Sequence, residues 1–238
     1  MYTMQGIVRK GINNATTQMD RLGAIANNIA NYTTNGYKSV TFEQVLKEDG
    51  YLTRTERTDY ATGSTRVTSN PYNVALKDVG FIPVVSPEGE IAYTRDGSFT
   101  QGKDGYLTTS DGWLVGDGIK IPTNCYKFTI KENGEVFTKG TVDGVEKKIG
   151  TIPLVRFDNP QGLKQADMNR LLPTDESGDA KLVKNPDCFA QNNLEMSNTN
   201  IYDSLNDILR VNASLLASTK MMKVADDMYN KAINIRES

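Results

Sequence analysis

The chain has 238 residues, 38% hydrophobic and 24% charged, with 27 lysines and arginines against 29 aspartates and glutamates. That is the make-up of a soluble protein long enough for one large or two small domains with a real core. A net charge of −2 without a lysine-arginine cluster argues against nucleic acid as a partner, and the absence of histidine removes the commonest general base and metal ligand together.

No stretch approaches the roughly 20 apolar residues that span a bilayer. The start, Met1 to Lys10, lacks the charged head and apolar run of a cleaved secretion signal, so any export is expected to use another route. Cys125 and Cys188 stand far apart in no metal-ligand spacing. Two separate thiols are favoured over a disulfide, and the pairing is left open. No catalytic, cofactor or metal site is assigned.

Residues from about Thr3 to Ala30 read as one helix. Ile12, Ala15, Met19, Leu22, Ala26 and Ile29 are separated by alternating steps of three and four, the seam of a helix packed lengthwise on others. Gly6, Gly11 and Gly23 each cost about 1 kcal/mol relative to alanine. A narrow apolar seam on a poor helix former predicts a segment ordered by partner helices.

The helix closes in a polar block, Asn27 to Lys38, where Asn35 or Gly36 is placed to take the positive φ that stops it. Residues 39–70 are expected to be a connector, with a helical turn or short strand near Phe42 and Val45 and an extended, exposed run from Thr53 to Ser69.

Beyond Pro71 the apolar period becomes two. Asp96-Gly97, Asp104-Gly105, Asp111-Gly112, Asp117-Gly118 and Asp143-Gly144 punctuate short apolar segments, a hairpin signal because both residues tolerate positive φ. The spacing lacks the alternating acids and closing Glu of a calcium loop. Leu163 to Pro173 is expected to hold one helical turn. Residues 71–195 thus form a β domain of short antiparallel strands, barrel-like or sandwich.

Residues 196–238 return to helix, capped by Ser197, Asn198 or Asn200. Ile201, Leu205, Ile208, Asn212, Leu215, Thr219, Met222, Asp226 and Tyr229 form one row, and Val211, Leu215, Ser218, Met222, Ala225, Tyr229 and Ala232 a second. Two rows make a stripe wider than one partner needs. The expected fold class is mixed α and β, with long terminal helices forming an antiparallel coiled coil and a central all-β domain of short antiparallel strands inserted between them.

Asn28-Ile29-Ala30-Asn31, Thr34, Gly36, Tyr37 and Lys38 resemble the motif Asn-(Leu/Ile)-Ala-Asn-x-x-Thr-x-Gly-(Tyr/Phe)-Lys of the bacterial flagellar rod and hook protein family. Asn73 to Leu76, Tyr93 to Phe99, Gly105 to Thr108 and Ser197 to Ile201 are similar to further motifs of that family, so the resemblance covers essentially the whole chain. It implies a structural rod subunit of the basal body, proximal or distal, with the short connector favouring the proximal type. It also implies periplasmic location, export by the flagellar type III apparatus without a cleaved signal, and contacts with identical subunits and other rod and hook proteins. The expected assembly surface is the first-helix seam with Asn28, Asn31 and Gly36, together with Ile201, Leu205, Ile208, Asn212, Leu215, Met222 and Tyr229. The alternatives are a hook-type subunit and a β-domain binding module, an adhesin or phage-tail component reading glycans through Trp113. An enzyme built on Asp96 and Asp111 is disfavoured, because turn chemistry already accounts for aspartates that precede glycines.

Overall fold

A computed structural model describes residues 4–142 and 144–237. Thr3 and Asp143, which the sequence places in a helix and a turn, lie outside the described residues. The chain divides into two compact units. One comprises the terminal segments, up to Asn31 and from Thr199, together with Ser39–Asp59; the other comprises Tyr32–Lys38 and Tyr60–Asn198.

In the first unit, helix α1 spans Met4–Ala30 and helix α2 spans Ile201–Glu237. Helix α1 stops where expected, its last turn closed by Asn31 N–H donating to Asn27 C=O at 3.1 Å. Asn200 is the cap of α2, its Oδ1 accepting from the Tyr202 N–H at 3.0 Å. In the expected connector, the short-strand alternative near Phe42 and Val45 holds, and the exposed run that follows pairs with it as a hairpin, Val40–Leu46 against Leu52–Thr58, in register from Val40↔Thr58 to Leu46↔Leu52. The reason is Asp49-Gly50, another Asp-Gly turn, in which Gly50 sits at φ 79° and Asp49 Oδ1 accepts from the Tyr51 N–H. The second strand is mostly exposed, and its alternating threonines supply β propensity without apolar bulk.

The second unit is the β region, and every strand pairing described in it is antiparallel. A seven-stranded sheet runs in the order Lys164–Ala166, Arg170–Leu172, Ile91–Thr94, Ile82–Val85, Leu114–Val115, Leu107–Thr108, Thr100–Gln101. A three-stranded sheet joins Lys127–Ile130, Glu135–Lys139 and Lys147–Thr151. Ile82, Leu107 and Val115 from the first sheet share one core with Phe128, Ile130 and Val136 from the second, and Val74, Leu76 and Phe189 complete it. A satellite cluster packs Phe81, Tyr93 and Phe157 edge to face.

The Asp-Gly turns appear at Gly105, Gly112 and Gly118, all with φ between 81° and 89°. Asp96-Gly97 is different. Gly97 C=O accepts from the Val74 N–H at 3.0 Å, and a Cβ on Gly97 would strike the Val74 carbonyl, so this glycine serves close backbone approach. The helical turn expected within residues 163–173 is a hairpin, with Met168 and Asn169 both at positive φ in its 3-10 turn. The apolar residues Leu171 and Leu172 read equally well in a short helix or a strand, and cross-strand pairing with Tyr93 decides between them.

Candidate functional site: assembly surfaces and a buried ion clasp

Within the first unit the two helices meet in opposite order along the chain. Gly11 faces Met222, Asn14 Nδ2 donates to Ser218 Oγ, and Arg21 Nη2 pairs with Asp207 Oδ1 at 3.0 Å. The covered row of α1 is therefore largely polar: Gly11, Asn14, Gln18, Arg21, Ile25 and Asn28, at steps of three and four. Gln18 Nε2 reaches Asn14 Oδ1 and, on the hairpin, Gln44 Oε1 at 3.3 Å. Two asparagines fasten the same helix to the hairpin backbone. Asn28 donates to Val40 C=O at 2.8 Å and accepts from Val40 N–H at 2.9 Å; Asn13 does the same to Leu52 at 3.3 and 2.8 Å. Each amide imitates a neighbouring strand, which is why Asn28 is buried and specific in role.

The apolar seam read from the sequence lies about 100° around α1 from that row, one residue step of the helix. Ile12 and Met19 are 54% and 58% exposed, Ala26 is exposed, and Ala15, Leu22 and Ile29 are half-buried. On α2 the second row is the covered one, with Ser204, Val211, Ser218 and Ala225 buried seven apart. Of the first row, Leu205, Asn212 and Tyr229 are exposed, while Ile201, Ile208, Leu215 and Met222 are half-buried. Tyr202, Leu209 and Leu216 extend the uncovered apolar surface. The pairing of α1 with α2 thus combines polar contacts with buried Ile25, Val211 and Ala225 and leaves Ile12, Met19 and Ala26 of the apolar seam exposed.

The end of the asparagine-rich block belongs to the β unit. Asn31 Nδ2 caps the last turn of α1 by donating to Asn27 C=O at 2.9 Å. Gly36 takes a positive φ of 67°, but six residues beyond the end of α1, so it does not stop the helix as the sequence suggested; a Cβ there would lie 2.6 Å from the Arg95 carbonyl carbon. Its N–H donates to Glu195 C=O at 2.8 Å. Glu195, 1% exposed, is the hub of a clasp that the sequence reading missed. Lys38 Nζ pairs with Glu195 Oε1 at 2.6 Å, and Arg95 Nε donates to Oε2 at 2.9 Å. Gly63 N–H also donates to Oε1, and Arg95 Nη1 donates to Gly80 C=O at 2.7 Å. Three ionised groups are held without water because each finds several partners. Their separation in sequence, from 38 to 195, gave no local signal. The only clue was a lysine closing an otherwise uncharged motif.

Residues 75–138 match the family model described as the flagellar hook protein FlgE/F/G D1 domain. The chain is 27% identical to the flagellar basal-body rod protein FlgG of Caulobacter vibrioides, covering 96% of this chain and 98% of the relative. It is 27% identical to the protein of the same name from Bacillus subtilis, over 95% and 96% of the two chains. Over nearly its whole length the chain is thus similar to flagellar basal-body rod proteins. A flagellar basal-body rod protein FlgF from Buchnera aphidicola is also similar, at 28% identity over 66% of this chain and 67% of the relative.

The flagellar D1 match begins in the strand Val74–Leu76 and ends in Glu135–Lys139, so it takes in most of the shared core. Within it, the face of Trp113 offered for glycan stacking is occupied: the Arg170 guanidinium lies 4.2 Å from the ring centroid and is itself paired with Asp111. Asp96 accepts from the Ser98 N–H and hydroxyl in its own turn. Cys188 is buried, which pushes its thiol pKa up, and both cysteines are free thiols.

Proposed function

We propose that this chain is a structural, non-catalytic subunit of the flagellar basal-body rod, polymerising through its terminal helices into a tubular shaft that transmits torque. The observation that carries the reading is the pair of uncovered apolar rows on α1 and α2 in a chain that resembles FlgG proteins from end to end. The two helices act as an antiparallel coiled coil whose polar seam sets register, while Ile12, Met19, Leu205 and Tyr229 meet neighbouring subunits. Burying such side chains contributes about 1.5–3 kcal/mol each, so a few of them per contact suffice to drive association. Identical subunits and other rod and hook proteins are the partners, delivered by the type III export apparatus without a cleaved signal. The segments of residues 1–38 and 196–238 serve assembly, residues 39–70 connect, and residues 71–195 form the β domain.

The test is to replace the chromosomal copy with Met19→Asp or Leu205→Asp and to isolate basal bodies. Both variants are expected to accumulate to normal levels yet leave cells without complete rods and without motility. Motile cells with normal basal bodies would overturn the reading.

A further inference from the structure

The outward face of the three-stranded sheet carries an unusual charge arrangement. Its strands alternate buried Phe128, Ile130, Val136 and Thr138 with residues that point away from the core. On that outer side Lys127 stands directly opposite Lys139, a like-charged cross-strand pair that costs stability. Lys131 covers the half-buried ring of Phe137 at 4.0 Å, and Lys148 faces the same residue across the next strand pair. The one carboxylate on these strands is Glu135, already taken by Lys148 at 2.6 Å. Lys127, Lys131 and Lys139 have no carboxylate within ion-pair distance among the described residues. Lysines spread over a flat face attract a negative surface without the forked geometry that selects a single bound anion.

The same unit offers a complementary feature. Thr174 to Ser177 is a turn locked from within. Ser177 is fully buried, its Oγ donates to Thr174 C=O at 2.8 Å and accepts from Thr174 N–H at 3.0 Å, and Thr174 Oγ1 donates to Gly162 C=O at 2.6 Å. Asn159 Nδ2 holds Glu176 C=O at 3.0 Å. The turn therefore presents Asp175 and Glu176 outward on a rigid base, with Asp179 exposed just beyond, and none of the three is ion-paired among the described residues.

We propose that the lysine face of one copy receives the Asp175-Glu176 turn of a second copy. The inference rests on the rod-subunit reading and adds a contact between β units to the one made by the helices. Because the two surfaces differ, the contact is heterologous: each copy keeps one free face and one free turn, so it propagates and does not close as a dimer. Charge attraction across such a contact sets register and is weakened by salt.

The experiment uses the full-length chain under assembly conditions, mixing isotope-labelled and unlabelled copies and treating them with a carbodiimide. Intermolecular amide links are expected between Lys127, Lys131 or Lys139 and Asp175 or Glu176. Each arises when the lysine amine attacks the carbodiimide-activated carboxyl carbon: the amide C–N bond forms, the C–O bond to the isourea breaks, and the urea leaves with the proton lost from the nitrogen. Lys127→Glu with Lys139→Glu, or Asp175→Lys with Glu176→Lys, should lower sedimentable assembly about tenfold, and combining all four changes should restore it. Links that fall elsewhere, or the absence of intermolecular links, would overturn the proposal. So would unchanged assembly, or reversal of the lysine face alone mattering, which would point to another protein as the occupant. Met19→Asp separates the two readings. If it stops assembly while the charge reversals do not, only this contact fails; if it too has no effect, the rod reading fails.

Discussion

Lys38 is a short distance from the end of a helix in sequence, yet its side chain is 5% exposed and its ammonium lies against the carboxylate of Glu195, whose side chain is 0% exposed. Removing it takes the Nζ partner from the buried Glu195 Oε1, which keeps the Gly63 N–H, and leaves the Glu195 charge matched by Arg95. Lys38→Met is expected to destabilise the β unit by roughly 3–5 kcal/mol in urea unfolding. Lys181→Ala, which breaks an ion pair with both side chains more than 60% exposed, should cost under about 1 kcal/mol in the same assay. Equal losses would mean that the clasp is not held out of water.

Three tyrosines of the β unit add a pH dependence with a definite sign. Burial raises the pKa of Tyr37, Tyr72 and Tyr93 above the ordinary 10.0, with the charge of Asp179 adding to the effect at Tyr93 and that of Cys125 at Tyr72. As pH rises past 10, the unfolded chain loses these protons first, so the associated stability is intact below that value and is lost through the folded-state pKa values. The urea midpoint should therefore fall as pH rises from about 9 to about 11, and Tyr37→Phe should make that fall shallower. A midpoint independent of pH over this range would contradict the burial of these phenols.

At the level of elements, α1 shows two rows with different duties. The polar row fastens the helix within its own unit through Asn13, Asn28 and Arg21, and the apolar row faces water. Substituting a charge into each should separate folding from assembly. Ile25→Asp, at a buried position, should melt the helical unit at lower temperature by circular dichroism. Met19→Asp should leave the melting curve within about 0.5 kcal/mol of the parent and abolish sedimentable polymer. The apolar seam was legible from its three-and-four spacing. The polar row was not, because Asn13, Gln18 and Arg21 look like a solvated face until their partners on α2 and the hairpin are known. The hairpin itself was carried by Asp49-Gly50, a turn signal flanked by too little apolar sequence to stand out.

For the molecule as a whole, the unit boundary has a measurable consequence. The chain leaves the helical unit after Asn31, and Tyr32 to Lys38 are part of the β unit. Removing residues 1–31 should leave the β unit with a cooperative unfolding transition, whereas removing residues 1–38 also deletes Lys38 and the Gly36 hydrogen bond to Glu195. The longer truncation should therefore unfold at markedly lower denaturant, again by roughly 3 kcal/mol or more. Identical midpoints would show that the segment adds nothing to the β unit.

The sequence by itself determined the two helices, the positions of most turns and the alternating strands between them. These depend on interactions within a few residues: apolar spacing, Asp-Gly backbone freedom and side-chain caps. The full-length family resemblance was legible for the same reason, since its motifs are short and contiguous. Only the tertiary structure decided which row of each helix is covered, that residues 39–59 form a hairpin on α1, and that Lys38, Arg95 and Glu195 share one buried site. It also gathered Lys127, Lys131, Lys139 and Lys148 onto one face, although no run of basic residues marks them in the chain. Coulomb and hydrogen-bond partners are chosen by distance in space, and a separation of 157 residues between Lys38 and Glu195 leaves no periodicity to read.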